Sequence, residues 1–275
     1  MRILVTNDDG LHAEGIQRLC EALRPVAELV IVVPDRQRSG FSHSITELQP
    51  LRLIETRFLD GTKAYISNGT PADCVALAAC ELSDGGIDLA ISGINHGWNV
   101  GVDVYYSGTV MAAAEAALLS LPALAVSAEG RGKEPTRFAT AAWFVKSLVQ
   151  KAVHRSLPEG TFLNVNVPSL PRNAIKGVKV APLSLSMLRD RFDKRSDPYG
   201  ATYYWRGGVT PYRRTQRGGM EHASPPGTDT HAVSEGFISV TPLRLNLTDE
   251  AALETVRSWE LGKDMGFGGE GAPGA

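Results

Sequence analysis

Residues 2–10, RILVTNDDG, decide the fold class of this chain. An apolar run over residues 2–5 is cut off by the polar turn at residues 7–10, which predicts a buried strand that ends at this turn. Beyond the turn, apolar residues recur at helical spacing up to Leu23, and a β-branched run over residues 29–33 is closed by a proline. This β-α-β order predicts a parallel sheet with a right-handed crossover.

The rest of the chain continues the alternation of helices and strands. Thr70 and Pro71 indicate a helix start, because threonine is a favoured N-cap and proline fits the first helical position. The pattern predicts an α/β fold with a doubly wound, mostly parallel sheet. The predicted helices cover residues 70–82, 109–119, 138–153 and 251–261, and the predicted strands cover residues 88–91, 123–126, 162–167, 178–180 and 237–243.

Residues 184–234 show neither helical nor strand periodicity and are rich in Arg, Gly, Pro and Tyr. A connection of this length without secondary structure is unusual inside a compact domain, so we interpret it as an arm, a lid or an oligomer contact. Its aromatic residues Tyr203, Tyr204 and Trp205 favour burial against a second subunit. We therefore expect a doubly wound core at 1–183, an extended arm used in oligomerisation at 184–234, a C-terminal strand and helix completing the fold at 235–262, and a flexible tail at 263–275.

Bulk composition narrows the class of protein. The 275 residues are 43% hydrophobic and 21% charged, as in an ordinary globular protein, and the net charge is −2. This charge argues against binding of a nucleic acid polymer or an anionic membrane. The first residues lack the features of a signal peptide, no apolar stretch reaches the roughly 18 residues of a spanning helix, and the three cysteines form no CxxC pair. We expect a cytoplasmic protein.

Three polar segments, at residues 7–10, 35–40 and 92–95, each follow a predicted strand. In a doubly wound sheet, ligands bind beyond the carboxyl ends of the strands, so we expect these segments to converge. The adjacent carboxylates of Asp8 and Asp9 repel each other, and a hard divalent cation such as Mg²⁺ or Mn²⁺ would offset that repulsion. The alternative is that both residues merely cap the following helix.

The same segments offer groups that suit a phosphate. Gly40 lets backbone N–H groups approach an anion, although residues 39–40 could equally be an ordinary polar turn. Every second position of residues 93–103 is Gly, Asn or Asp, and amide groups there could bind a cation or a phosphate. These positions are Gly93, Asn95, Gly97, Asn99, Gly101 and Asp103. A Ser-Gly-Thr at a helix N-terminus either binds phosphate or simply caps the helix. The candidate phosphate and substrate contacts are Asn7, Gly40, Asn99, Ser107, Gly108 and Thr109.

Three further side chains in these segments have two interpretations each. His12 and His96 could shuttle protons, and a structural role is at least as good an explanation for both. Trp98 could stack on a nucleobase or pack against the protein.

The motifs of other nucleotide-binding folds are absent from the sequence, because neither GxGxxG after the first strand nor GxxxxGK[ST] occurs. The frame Asn-Asp-Asp also lacks the Asp-x-Asp of aspartyl-phosphate phosphatases, which favours a metal-activated water over a covalent phosphoenzyme.

The chain resembles the SurE survival-protein phosphatases. The matching stretches are ILVTNDDGLHAEGI, PDRQRSGFSHSIT, SNGTPADCV, DLAISGINHGWNVGVDVYYSGTVMAAAEAA and TDTHAVSEGFISVTPL, in the family's order between residue 3 and about residue 243. The resemblance implies a Rossmann-like core and one divalent metal cation per subunit, and it carries the metal ligands over to Asp8, Asp9, Ser39 and Asn95. It also implies hydrolysis of nucleoside 5′- and 3′-monophosphates, and homodimers or homotetramers formed by exchange of C-terminal elements.

On this interpretation Asp8 or Asp9 also takes the proton of the attacking water, and the sequence does not separate ligand from base. Two other classes of function remain open at this point. One is a nucleotide-binding regulatory protein with the same fold and no catalysis, and the other is an arm-mediated scaffold. Loss of a ligand residue would favour either, and all four ligand positions are filled.

Overall fold

A computed structural model describes residues 1–58, 60–129, 137–152, 156–184, 192–206 and 225–261. The expected tail at 263–275, and the parts of the expected arm at 185–191 and 207–224, lie outside the described residues. Within the described residues, no helix has both the length and the apolar character needed to cross a membrane.

A nine-stranded sheet, in the order β3-β4-β2-β1-β5-β6-β7-β11-β8, organises the described residues. The six strands from β4 to β7 in that order run parallel, whereas β3 and β11 are antiparallel to β4 and β7. The strands are β1 (Arg2–Thr6), β2 (Glu28–Pro34), β3 (Leu53–Arg57), β4 (Lys63–Ser67), β5 (Leu89–His96), β6 (Ala123–Ala128), β7 (Thr161–Val167), β8 (Val178–Val180), β9 (Phe192–Ser196), β10 (Thr202–Arg206) and β11 (Ile238–Arg244). The helices are α1 (Glu14–Leu23), α2 (Pro71–Glu81), α3 (Gly108–Leu118), α4 (Phe138–Gln150), α5 (Asp229–Ser234) and α6 (Glu250–Ser258).

Helices cover both faces of the sheet, because alternate residues of each central strand point to opposite faces. Ile3 and Val5 of β1 belong to one apolar cluster with α1 and α4, and Leu4 belongs to a second cluster with α2 and α3. All three side chains are fully buried, and burying each contributes about 2 kcal/mol. The expected Rossmann-like, doubly wound fold is confirmed.

Most predicted element bounds agree with the structure within a few residues, and three regions differ. The β3–β4 pair was not predicted, because β3 is a short edge strand whose sequence LIETR carries exposed charges. The strand predicted to end at Ile91 continues to His96. The segment predicted to lack secondary structure contains the β9–β10 hairpin and α5.

The chain divides into two compact units, Met1–Leu245 and Asn246–Ala275. The first contains the sheet, its covering helices and the β9–β10 hairpin. The second contains α6, whose N-cap Asp249 accepts hydrogen bonds from the backbone N–H groups of Ala251 and Ala252. The expected C-terminal strand and helix therefore fall in different units, and the remaining domain bounds stay predictions.

Candidate functional site

The turn after β1 is fixed by Asn7, whose side chain is fully buried. Its Nδ2 donates to the Gly10 carbonyl at 2.9 Å, and its Oδ1 accepts from the Gly10 N–H at 3.1 Å. Helix α1 begins later, at Glu14, with Ala13 as its N-cap. Asp8 and Asp9 therefore do not cap this helix, and the turn presents both carboxylates at the carboxyl end of the sheet.

Asp8 is a buried carboxyl group beside the start of α3. The hydroxyl of Thr109 donates to its Oδ1 at 2.6 Å, and only 3% of the residue is exposed. The pKa of Asp8 is raised to about 6, chiefly by burial and also by the charge of Asp9, although the hydrogen bond from Thr109 lowers it. A cation at this position would stabilise the ionised form that burial disfavours.

Gly108 allows α3 to approach Asp8 closely. A Cβ atom at this position would lie 3.1 Å from the Asp8 Cβ and 3.3 Å from its Oδ2. A larger residue would require the Asp8 side chain to shift by a few tenths of an ångström, so Gly108 has a packing role. Phosphate binding by Gly108 stays a prediction.

Asp9 is linked to Ser39 by Gln37, a residue that the sequence argument did not single out. The Gln37 Nε2 lies 3.3 Å from the Asp9 Oδ1 and 3.1 Å from the Ser39 Oγ, and an amide NH₂ carries two donor hydrogens for these acceptors. The backbone N–H of His96 donates to the other Asp9 oxygen at 3.4 Å. Two of the predicted ligands and the end of β5 are thereby brought together.

The loop that carries Ser39 is attached to the sheet through Arg38. The Arg38 backbone N–H donates to the Asp8 carbonyl at 2.7 Å, and its buried guanidinium contacts the Asp35 carboxylate and the Asn68 carbonyl. These contacts fix the loop next to the turn after β1. The polar residues after β2 indicated this loop in the sequence. The hydrogen bonds that hold the loop in place could be assigned only from the fold.

Asn95 lies inside β5, which corrects the prediction that residues 92–95 form a loop after the strand. The register between β5 and β6 shifts between Ser92 and Asn95. Gly93, at φ +138°, permits this bulge, because a Cβ there would lie 2.3 Å from the Val126 carbonyl oxygen. The Asn95 Nδ2 donates to the Gly97 carbonyl at 2.8 Å, and this bond leaves the side-chain oxygen for a ligand.

Comparison with known proteins identifies the family. The model of the survival protein SurE family matches residues 3–190. The chain belongs to the SurE family.

Relatives match along nearly the whole chain. The 5′-nucleotidase SurE of Syntrophomonas wolfei subsp. wolfei is 42% identical over 258 residues, which cover 94% of each chain. The 5′-nucleotidase SurE of Aeromonas hydrophila subsp. hydrophila is 44% identical over 94% of this chain and 98% of its own. The crystal structure of the SurE protein from Aquifex aeolicus is similar, with a TM-score of 0.78 and 37% identity over 94% of this chain and 100% of that one.

Ser107, Thr109 and Asn99 have structural contacts in this SurE chain. Ser107 caps α3, since its Oγ accepts from the Val110 N–H at 3.1 Å, and Thr109 donates to Asp8. The side chain of Asn99 donates to the Ser127 hydroxyl, and its backbone carbonyl accepts from two buried asparagines. All three residues therefore have structural roles, and only Thr109 contacts a proposed ligand. Their contact with a phosphate stays a prediction.

The remaining candidates differ in their surroundings. Gly40 has φ +79°, and a Cβ there would meet no atom within 4 Å, so the turn rather than a close contact favours glycine. Trp98 donates from Nε1 to the Val167 carbonyl at 3.0 Å, which supports the packing interpretation. His12 is exposed, and the exposed His96 ring lies 6.0 Å from the ring of Phe138.

The donor set of this SurE site suits a hard cation. Across the described residues, no group of three or more His, Cys, Asp and Glu side chains could hold a metal ion. Two carboxylates, a hydroxyl and an amide oxygen are the neutral and anionic oxygen donors that Mg²⁺ and Mn²⁺ accept. The residues present fit such a metal.

Proposed function

We propose that this chain is a metal-dependent phosphatase that hydrolyses nucleoside 5′-monophosphates, and 3′-monophosphates as well, to nucleoside and phosphate. The observation that carries the proposal is the buried Asp8 carboxylate, raised in pKa and placed beside Asp9 at the carboxyl end of the sheet. Two relatives with the name 5′-nucleotidase SurE, each more than 40% identical over nearly the full chain, support the substrate class.

Asp8, Asp9, Ser39 and Asn95 would hold one divalent cation per subunit, Mg²⁺ or Mn²⁺. Bound there, the cation would act as a Lewis acid on a phosphoryl oxygen and lower the pKa of a bound water. The hydrogen bonds from Thr109 to Asp8 and from Gln37 to Asp9 orient the two carboxylates before any substrate binds. Such preorganisation is what a phosphoryl-transfer site requires.

The protein groups around this centre would bind the phosphate and accept a proton. The N-terminus of α3, which begins at Gly108, offers backbone N–H groups and the positive end of the helix dipole. Asn7, Gly40, Asn99, Ser107 and Thr109 complete the proposed phosphate and substrate contacts. Asp8 or Asp9 would accept the proton of the attacking water.

The protein would work in the cytoplasm as a homodimer or homotetramer that exchanges its arms. The β9–β10 hairpin supports this proposal, because Tyr203, Tyr204 and Trp205 expose 40%, 59% and 58% of their surface. Aromatic clusters exposed to this extent are typical of interfaces.

Phosphate release tests the proposed function. We expect the purified chain to release phosphate from AMP and from 3′-AMP, to lose this activity in EDTA, and to recover it with Mg²⁺ or Mn²⁺. Tight nucleotide binding without any release would favour the regulatory protein instead. Full activity after exhaustive chelation would contradict the metal mechanism.

A further inference from the structure

Phe41 directly follows the loop residues Ser39 and Gly40, and its ring is supported from one side. The guanidinium carbon of Arg38 lies 5.5 Å from the centroid of the Phe41 ring. Arg38 itself is only 8% exposed, and its hydrogen bonds to Asp35 and Asn68 fix it in place. Phe41 nevertheless exposes 44% of its surface. The Phe41 ring therefore packs against a guanidinium whose position is fixed by hydrogen bonds, and the ring stays partly exposed to solvent.

Two further exposed aromatic residues precede the start of α3. Tyr105 and Tyr106 expose 48% and 55% of their surface. Ser42 ties them to the Phe41 loop, since its N–H donates to the Tyr106 carbonyl at 3.2 Å and its hydroxyl donates to the Tyr105 carbonyl at 2.6 Å. The two loops that carry the proposed phosphate contacts thus present three aromatic side chains, and they are joined at Ser42.

These aromatic residues adjoin the proposed phosphate contacts, because Phe41 follows Gly40 and Tyr106 precedes Ser107. A phosphate bound between Gly40 and the N-terminus of α3 would leave the ribose and the base on the side away from the buried Asp8 carboxylate. Aromatic faces stack on every base, so they suit a substrate class in which the base varies. Trp98, which the sequence suggested as a residue that could stack on the base, donates a hydrogen bond to the Val167 carbonyl instead.

We propose that Phe41, together with Tyr105 and Tyr106, forms the nucleobase subsite, with Phe41 stacking on the base from its position on Arg38. The proposal rests on the proposed nucleotidase function and extends it. It explains why large aromatic side chains stay exposed beside a site whose Asp8 carboxylate is buried. It also predicts weak discrimination among bases, because stacking lacks base-specific hydrogen bonds.

The test compares AMP with ribose 5-phosphate, which has the same phosphate and sugar but no base. For F41A we expect kcat/KM for AMP to fall about 10- to 100-fold, mainly through KM, while ribose 5-phosphate loses little. Phe41→Tyr should restore the AMP value. Leu48→Ala is the matched control, because Leu48 is a 97% exposed apolar residue on the same loop, and it should leave both substrates unaffected.

Three outcomes would overturn the subsite. One is an equal loss on both substrates in F41A at an unchanged molecular mass, which would indicate a structural role. A second is an unchanged kcat/KM for AMP. A third is a lower molecular mass of F41A by light scattering with equal losses on both substrates, which would assign Phe41 to a contact between subunits. Failure of the proposed function would differ, since the wild-type chain would then release phosphate from neither compound.

Discussion

The site at the end of β1 and the β9–β10 hairpin differ in the burial and the contacts of their side chains. Asp8 is 3% exposed and receives its hydrogen bond from Thr109, a residue 101 positions away. Within the part of the chain that the structure describes, β9 and β10 pair only with each other, and Trp205 is 58% exposed. Contacts from distant segments fix the site within one chain, whereas the hairpin leaves aromatic surface exposed. Changes at the site should therefore alter turnover, and changes in the hairpin should alter assembly.

The largest effect should come from Asp8→Asn, which keeps the shape of the side chain and removes one charge. We expect kcat to fall by roughly 1,000-fold, because a ligand of the proposed cation is lost. Without metal, the variant should be as stable as the wild type or slightly more stable, because burial disfavours the ionised Asp8. Rates and melting curves at pH 7, with and without Mg²⁺, check both statements. Near-native turnover would remove Asp8 from the site.

A substitution in the hairpin should alter self-association rather than turnover. Trp205→Ser should weaken self-association by about 10- to 100-fold, as for an aromatic residue at the centre of an interface. Lys194→Ser is the matched control, since Lys194 lies on the same hairpin opposite Tyr204. Sedimentation across a range of concentrations measures the difference. A wild-type chain that stays monomeric at micromolar concentration would contradict the proposed interface.

A smaller effect is expected at Thr109. Thr109→Val keeps the volume and removes the donor to Asp8, and we expect kcat to fall about 10-fold, the typical value of a hydrogen bond to a charged group. Thr109→Ser restores a hydroxyl and should recover most of the rate. Equal losses in both variants would show that packing, rather than the hydrogen bond, matters at this position.

The smallest effect should be at Ser107, the N-cap of α3. Ser107→Ala should lower the free energy of unfolding by about 1 kcal/mol, and Thr70→Ala at the cap of α2 should do the same. Urea unfolding measures both. If Ser107 also binds the phosphate, its variant should raise KM while the Thr70 variant does not. An unchanged KM would restrict Ser107 to capping.

The sequence predicted the elements with strong periodicity and clear ends. The β1–α1–β2 unit follows from apolar spacing, and the start of α2 follows from Thr70 and Pro71, which the capping box with Asp73 confirms. The edge strand β3 was missed because its charged, exposed residues lack the alternation of a half-buried strand. The end of β5 was missed because the Gly93 bulge depends on packing against β6.

Within the site, the sequence identified the groups and not their contacts. Asp8, Asp9, Ser39 and Asn95 came from the polar segments and the family resemblance. The contact of Thr109 with Asp8 spans 101 positions, and the Gln37 bridge joins segments 28 positions apart. Local spacing carries no information on such pairs, so only the fold could assign Thr109 and Gln37 their present roles.

The central claim is that Asp8, Asp9, Ser39 and Asn95 hold a divalent cation, and titration of Mn²⁺ into the metal-free protein tests it most directly. Electron paramagnetic resonance of unbound Mn²⁺ measures stoichiometry and affinity without any substrate. We expect one site per chain in the wild type, and at least about 10-fold weaker binding in Asp9→Asn. Glu47→Gln, which removes an exposed charge outside the ligand set, should bind like the wild type. Unchanged stoichiometry and affinity in Asp9→Asn would contradict the claim.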